Sequence, residues 1–407
     1  MNCRHCKSNL KFKILDLGVS PASNAYLHKK NLLKKEKEYP LKLYFCEKCF
    51  LVQTQDFAKK EDLFTDEYAY FSSTSRSFCE HAKNYVNEII KKIKLNPSSF
   101  VIEIASNDGY LLKNFLSHKI PCLGIEPTKS TRLRAKKLGI KVLGKFFTNS
   151  LAEILLKKNK KADLIIGNNV FAHVPNINDF TKGMKKILKP DGVITLEFPH
   201  LLELIKNNLF DTVYHEHFSY LSLCAVEIIF RKFGLRVFDV KKLKIHGGSL
   251  RVYGCHIESK YKNKKSVEKI KKEETLSNMN NIIGFKQLQK NTHKAKSDLL
   301  SFLQEKKLKN KIVVAYGAAA KGNTLLNYCK IKNDLIKFVC DASKSKQNKF
   351  LPGSKIPIVH PKKLLNTKID FLLILPWNLK NEIIKQNFFL KKRGIKFFTA
   401  NNGIKII

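Results

Sequence analysis

The chain has 407 residues, 43% of them hydrophobic, and carries 76 Lys and Arg against 34 Asp and Glu, a formal net charge of +42. That length predicts two or three domains with real cores, and the apolar fraction excludes a mainly disordered protein. The bases are eight arginines and 68 lysines spread along the chain; readers of base edges and phosphates favour the planar guanidinium, so the charge argues for a solvated surface and an acidic small molecule over nucleic acid.

The opening "MNCRHCKSNL" has no apolar core of a signal peptide, and the longest apolar runs, such as "IDFLLILPW", are too short to span a bilayer. A cytoplasmic protein with no membrane segment is expected. Cys3 and Cys6, then Cys46 and Cys49, form two C-x2-C knuckles. Four thiolates suit a closed tetrahedral zinc site, which leaves no open position for chemistry and so predicts a structural metal. The stretch between the knuckles is longer than in a standard zinc ribbon and predicts a small β-rich insert. Cys79, Cys122, Cys224, Cys255, Cys329 and Cys340 show no pairing pattern and read as ordinary buried thiols.

After a loop, "SRSFCEHAKNYVNEIIKKIKL" reads as an amphipathic helix. "FVIEIA" is a buried parallel strand by its apolar run, "SNDGYLL" a turn into a helix at Gly109, and "CLGIEP" a second strand ending in Glu126. An acid at the end of the second strand, some twenty residues past the turn, is where such folds hold ribose hydroxyls. "KADLIIGNNVFAHVPN" and "PDGVITLEFPH" add two more strands, giving a doubly wound α/β domain. Ala105 and Asn107 stand where a dinucleotide fingerprint would have glycine. The order Glu103, turn glycine, Glu126 and the "NNVFAHV" loop is instead that of an S-adenosylmethionine methyltransferase.

A lysine-rich helical stretch follows, with Phe285, Leu288, Ala295, Leu299 and Leu303 on one stripe. A second α/β unit then reads as strand "KIVVAY", a loop bounded by Gly317 and Gly322, a helix, a strand ending in Asp341, and the strand "IDFLLILPW". The loop aims at a helix N-terminus and carries Lys321, which suits substrate phosphates; a purely structural turn is equally open. NAD is disfavoured, because G-A-A-A-K-G lacks the central glycine that admits a pyrophosphate.

The densest chemistry lies in "TVYHEHFSYLSL", with Tyr214, His215, Glu216 and His217 in a row. A zincin H-E-x-x-H would need His where Ser219 stands. If the segment is extended, the two histidines face one side and Glu216 the other; in a tight turn that alternation fails, and sequence alone leaves the matter open.

The four-Cys module, "EIASNDGYLL", "GIEPT", "NNVFAHVPNINDF", "VYHEHFSYLS", "GGSLRVY" and "YGAAAKGNTLLNY" occur in this order over essentially the whole chain. Together they resemble the nucleotide-sugar C-methyltransferase family. The resemblance implies methylation of a ring carbon, usually C3, of a nucleotide-linked 4-keto-6-deoxy sugar. It implies a zinc module (1–66), a methyltransferase domain (67–258), a helical connector (259–310) and a C-terminal Rossmann-like α/β domain enclosing the substrate (311–407). Carried over residue by residue, Glu103, Ala105, Ser106, Asn107, Gly109, Tyr110, Glu126, Pro127, Asn168 and Asn169 hold S-adenosylmethionine. Tyr214, Glu216 and His217, with His173 and Tyr68, do the chemistry, His217 being the base and His215 its rival. Tyr70, Ser72, Gly317, Lys321 and Asp341 meet the substrate. A carbon nucleophile needs a base for the proton beside a carbonyl and donors for the enolate oxygen, roles that His and Tyr fill without a metal. The alternatives are a methyltransferase of this fold acting on a sugar oxygen or RNA, and a binding protein that has lost activity.

Overall fold

A computed structural model describes residues 1–55 and 71–407. Tyr68 and Tyr70, both expected at the sugar site, lie outside the described residues. Among the described residues no helix is long and apolar enough to cross a membrane.

The N-terminal module is a hairpin of β1 (Phe12–Pro21) and β2 (Glu38–Phe45), with β3 (Val52–Thr54) antiparallel on the far side of β2. Tyr39, Leu41, Leu43 and Phe45 are buried in alternation along β2, the pattern of a strand with one wet face. The hairpin is the β-rich insert between the knuckles. Each knuckle closes on the carbonyl of its first cysteine, Lys7 N to Cys3 O at 3.0 Å and Phe50 N to Cys46 O at 2.8 Å.

The central sheet has five parallel strands: β4 (Val101–Ile104), β5 (Cys122–Ile125), β6 (Lys141–Leu143), β7 (Ala162–Asn168) and β8 (Leu188–Pro199). Their apolar runs are continuous because both faces are covered. Val101, Leu164 and Ile166 enter the core on one face; Ile102, Ile104 and Ile165 enter the core on the other. The short β9 (Ser219–Tyr220) leaves this sheet to pair with β3, so the His-Glu-His segment is tied to the N-terminal module. The chain then returns as β10 (Leu235–Leu243) and β11 (Ser249–His256), giving the order β10-β11-β8-β7-β4-β5-β6 with β11 antiparallel to both neighbours. Strand order reverses between β4 and β7, which opens a crevice at their C-terminal ends.

Helices Lys265–Leu276 and Leu288–Leu308 form the connector. Phe285, Leu288, Ala295, Leu299 and Leu303 are buried as the stripe predicts, in one core with Leu43 and Phe45 of β2 and Val313, Ala315 and Phe371. The C-terminal sheet is β12 (Val313–Tyr316), β13 (Val339–Cys340), β14 (Ile358–Val359), β15 (Phe371–Ile374), β16 (Lys396–Thr399) and β17 (Lys405–Ile406). Its order is β14-β13-β12-β15-β16-β17, parallel except for β17. Here the order reverses between β12 and β15, and the loops after these two strands meet.

Candidate active site

The first crevice, after β4 and β7, gathers most of the residues expected to hold the cofactor. The turn leaving β4 puts Ala105 and Asn107 in the left-handed region, φ 58° and 49°. It is held there by Glu126, whose carboxylate accepts from Asn107 N at 3.0 Å and Thr128 N at 2.8 Å. Asn107 Oδ1 accepts from Ser72 N at 2.9 Å, and Tyr110 stacks on Phe78 with ring centroids 5.1 Å apart. Pro127 carries the chain from Glu126 into the following helix, Lys129–Lys137. Gly109 is required for a reason the sequence did not disclose. At φ 79°, a Cβ there would lie 2.3 Å from Ile140 Cδ1, so its close approach is to the neighbouring layer of the fold.

Five buried polar atoms around this crevice have no partner among the described residues: Glu103 Oε2, Ser106 Oγ, Asp108 Oδ1, Asn168 Oδ1 and Asn169 Nδ2. Buried groups left unsatisfied cost about 1–3 kcal/mol each, so a cluster of them at a switch point marks a ligand site. The charge selects the ligand. Burial, and then the carboxylates of Glu126 and Asp108, push the Glu103 carboxyl well above its usual range. Three neighbouring acids suit a ligand bearing a sulfonium and an ammonium and repel a diphosphate. The residues present therefore fit S-adenosylmethionine.

The second site is the turn Tyr214–His217, closed by His217 N to Tyr214 O at 2.9 Å. The segment is a tight turn, so strand alternation does not apply and the two histidines separate. His215 points to the N-terminal module, its Nε2 donating to Tyr39 O at 3.2 Å. His217 turns inward. Its Nδ1 donates to Thr212 O at 3.0 Å, which places the lone pair on Nε2. Around it stand Tyr214, His173 and Tyr220, with ring centroids 4.0, 4.6 and 5.8 Å away. His173 Nδ1 in turn donates to Glu216 O at 2.7 Å. Burial, then the imidazole of His173, then His246 and Lys321, hold His217 well below its usual pKa, against the pull of the Thr212 carbonyl. It is neutral at cellular pH. Glu216, 1% exposed, accepts from Asn24 Nδ2 at 3.0 Å and leaves Oε2 without a partner among the described residues; burial raises its carboxyl.

The N-terminal module and the C-terminal sheet close on this turn. Asn323 Nδ2 donates to Ser23 O at 2.6 Å, Thr324 Oγ1 to Val213 O at 2.9 Å, and Tyr26 Oη to Ala318 O at 2.6 Å. In the glycine loop, Gly317 has φ 90° and packs on Pro376. Asp341 accepts from Ala318 N and Ser343 N, both at 2.8 Å, and so fastens the loop. Lys321 turns away from the helix N-terminus toward the loop after β15: its Nζ donates to Asn378 Oδ1 at 2.7 Å and lies 4.5 Å from the Trp377 ring centroid.

Several residues at this seam escaped sequence reasoning. Asp211, fully buried, accepts from Trp377 Nε1 at 2.6 Å, and its Oδ1 has no partner. His246 sits at φ 53° before Gly247, against which Trp377 packs, and its buried Nε2 has no partner. Nearby, Glu197 at the end of β8 bonds Arg251 Nε at 2.6 Å and His81 Nε2 at 2.9 Å. Burial raises its carboxyl, but His81 and Arg251 outweigh burial and leave it below the ordinary range. Asn24 and Tyr26 gave no signal; "HGG" and the lone tryptophan could have.

Cys3, Cys6, Cys46 and Cys49 come together with all four sulfurs within 4.8 Å of one another. Cys3 lies 3.5 Å from Cys49 and Cys6 lies 3.5 Å from Cys46. Zn–S bonds of about 2.3 Å in a tetrahedron put sulfurs about 3.8 Å apart, so the set fits zinc with little movement. It is the one such group among the described residues, and it lies in a core cluster with Leu10 and Leu51, where a metal holds the fold.

Comparison with known proteins agrees along the chain. Residues 3–64 match a family model for a zinc binding domain, 78–240 a methyltransferase domain, and 244–400 the C-methyltransferase C-terminal domain. C-methyltransferase NovU of Streptomyces niveus is 30% identical over 393 residues, 96% of this chain and 93% of that protein. Among solved structures, a SAM-dependent methyltransferase of Thermotoga maritima is 20% identical, covering 44% of this chain and 99% of that one with a TM-score of 0.32. The magnesium protoporphyrin IX methyltransferase of Synechocystis PCC 6803 is 10% identical, covering 50% and 100% with a TM-score of 0.37. Likenesses at that level carry no argument here. The relative that spans nearly the whole chain does, and with the matched domains it shows that this protein is an S-adenosylmethionine-dependent methyltransferase of the C-methyltransferase family, with a zinc-binding N-terminal module.

Proposed function

We propose that the enzyme methylates a ring carbon, C3, of a nucleotide-linked 4-keto-6-deoxy sugar through an enolate, with His217 as the base. The observation that carries the reading is the state of His217: buried, neutral, and locked by Thr212 O with its lone pair on Nε2. That is the form a general base needs before it acts. The C–H bond beside the ketone breaks, its proton goes to His217 Nε2, and its electron pair forms the enolate. Tyr214 positions or polarises the ketone oxygen. S-adenosylmethionine, when bound, supplies an electrophilic methyl group to the enolate carbon. Glu216, held by Asn24, orients the sugar, and the His173 ring packs edge-on against the base.

Glu103, Ser106, Asn107, Tyr110, Glu126, Asn168 and Asn169 line the cofactor crevice in this reading, with Glu126 on the ribose. Ser72, Gly317, Lys321 and Asp341 belong to the walls of the substrate site, and residues 311–407 enclose the nucleotide. The reaction takes place in the cytoplasm, where nucleotide sugars are made. The test is incubation with labelled S-adenosylmethionine and a panel of nucleotide-linked 4-keto sugars, with the methylated atom located by NMR. Label on the carbon beside the ketone is expected. Label on a sugar oxygen, or on RNA and on no keto sugar, would replace this reading with one of its rivals.

A further inference from the structure

His217 is a weak base. An imidazole whose burial disfavours its charged form can take a proton from carbon only if the negative charge left on the ketone oxygen is strongly stabilised. A tyrosine hydroxyl is one donor. The structure offers a stronger group in the same place.

Lys321 lies at the switch point of the C-terminal sheet, between the loops that follow β12 and β15, where α/β folds take their ligands. Its ammonium rests on the Trp377 ring and, among the described residues, donates to Asn378 alone. Among the described residues no carboxylate lies within ion-pairing distance. Asp211, whose charge acts on the ammonium, is engaged with the Trp377 indole. An ammonium has three donors, so two remain for something else. The position connects directly to the base: Asp211 adjoins Thr212, whose carbonyl locks His217, and Trp377 packs on Gly247 beside His246. Two more buried polar atoms at the seam, Asp211 Oδ1 and His246 Nε2, have no partner among the described residues. A cation with spare donors, an acceptor and an imidazole left open together describe a place for a polar ligand atom, and a phosphate would have been repelled by Asp211.

We propose that Lys321 is a catalytic residue, its ammonium donating to the sugar ketone oxygen and stabilising the enolate that forms there, with Trp377 and Asn378 holding it in position. As the C–H pair becomes the carbon–carbon π bond, the carbonyl π pair moves to oxygen beside the ammonium. When the carbon takes its methyl group, the carbonyl re-forms and Lys321 keeps its proton. The inference rests on the enolate reading and assigns Lys321 to the reacting oxygen and not to the diphosphate.

The experiment is deuterium wash-in at the carbon beside the ketone, with saturating nucleotide keto sugar and no methyl donor, in the parent, Lys321→Met and Lys321→Arg. Removing one oxyanion donor costs about 10²–10³-fold in rate. Lys321→Met is expected to lose wash-in on that scale at saturation, while its melting temperature and S-adenosylmethionine affinity stay near parental. A pH profile adds a signature that packing would not give. Burial brings the Lys321 ammonium down to about 8 despite Asp211. Among the described residues the titrating groups in its field are Asp211, His217 and His246, all of which ionise below that range. Parental wash-in should therefore fall above pH 8, and the fall should vanish in Lys321→Arg, whose guanidinium stays charged. Parental wash-in at saturation in Lys321→Met, with only a raised KM, would make Lys321 a substrate clamp and overturn the proposal. Absence of wash-in from the parent itself would instead sink the enolate reading on which it stands.

Discussion

Replacing Glu126 by Ala separates two roles that one carboxylate plays. In the folded chain it accepts from the amides of Asn107 and Thr128, at 3.0 and 2.8 Å, and it is 5% exposed. A hydrogen bond to a charged group contributes about 1.5–3 kcal/mol, so losing both removes about 3–6 kcal/mol before any water enters. The turn it holds contains two non-glycine residues at positive φ, a strained conformation that the carboxylate helps to hold. For a unit of this size about 1 kcal/mol shifts the melting temperature by about 2–4 °C, so the variant should melt about 6–24 °C below the parent. Affinity is the second role. A carboxylate that accepts from ribose hydroxyls as well adds a loss of about tenfold or more for each bond of 1.5 kcal/mol. Circular dichroism melts and calorimetric titration with S-adenosylmethionine, run well below the variant's melting temperature, read the two separately. Lowered stability with parental affinity would move the ribose elsewhere. Parental stability would refute the turn geometry itself.

Metal analysis of the pure protein should find one zinc per chain, and Cys46→Ser should lose it together with solubility and fold, while turnover per folded molecule changes little; a variant that folds normally yet is inactive would give the metal a chemical role. Stability should also depend on pH in a defined direction. His173 and His246 are brought down to about 4, and His217 lower than its usual value, by burial in each case first. Unfolded, each binds a proton below about pH 6.5, whereas folded it does not until much lower, so protons favour the unfolded chain. Stability should be level above pH 6.5 and fall toward pH 4 by up to about 1.4 kcal/mol per histidine for each pH unit. Urea titrations at pH 7, 6 and 5 that superimpose would show these imidazoles to be solvated.

The parts of the molecule legible in the sequence are those fixed by local rules. Apolar runs announced β4, β5, β7 and β12, because strands covered on both faces have no choice but to be apolar. Paired C-x2-C spacing announced the metal, and position along the chain singled out the acid at the end of β5, Glu126, which the structure sets against the β4 turn. What stayed hidden depends on contacts between distant residues. Asn24 reaches Glu216 across 192 positions and Asp211 reaches Trp377 across 166. No local pattern encodes either. The tight turn at Tyr214–His217 leads into β9, which crosses to β3, so the different directions of the two adjacent imidazoles depend on the sheet order of another module. The sequence places Lys321 near a helix N-terminus, but its direction is decided by Trp377 and Asn378, more than fifty residues later. The sequence marks Gly109 as a turn glycine, but the side chain its backbone approaches, Ile140, lies 31 residues on and in no local pattern.

The central claim is that His217 takes a proton from carbon, and it is tested most directly by comparing His217→Asn with His215→Asn. Both imidazoles are buried and their backbones are adjacent, yet His215 bonds Tyr39 O in the N-terminal module while His217 faces Tyr214 and His173. General-base catalysis is worth about 10²–10⁴-fold. With a nucleotide keto sugar in heavy water and no methyl donor, the parent and His215→Asn should exchange the proton beside the ketone, and His217→Asn should be slower by that factor with normal cofactor affinity. Exchange at the parental rate in His217→Asn, lost instead in His215→Asn, would contradict the account.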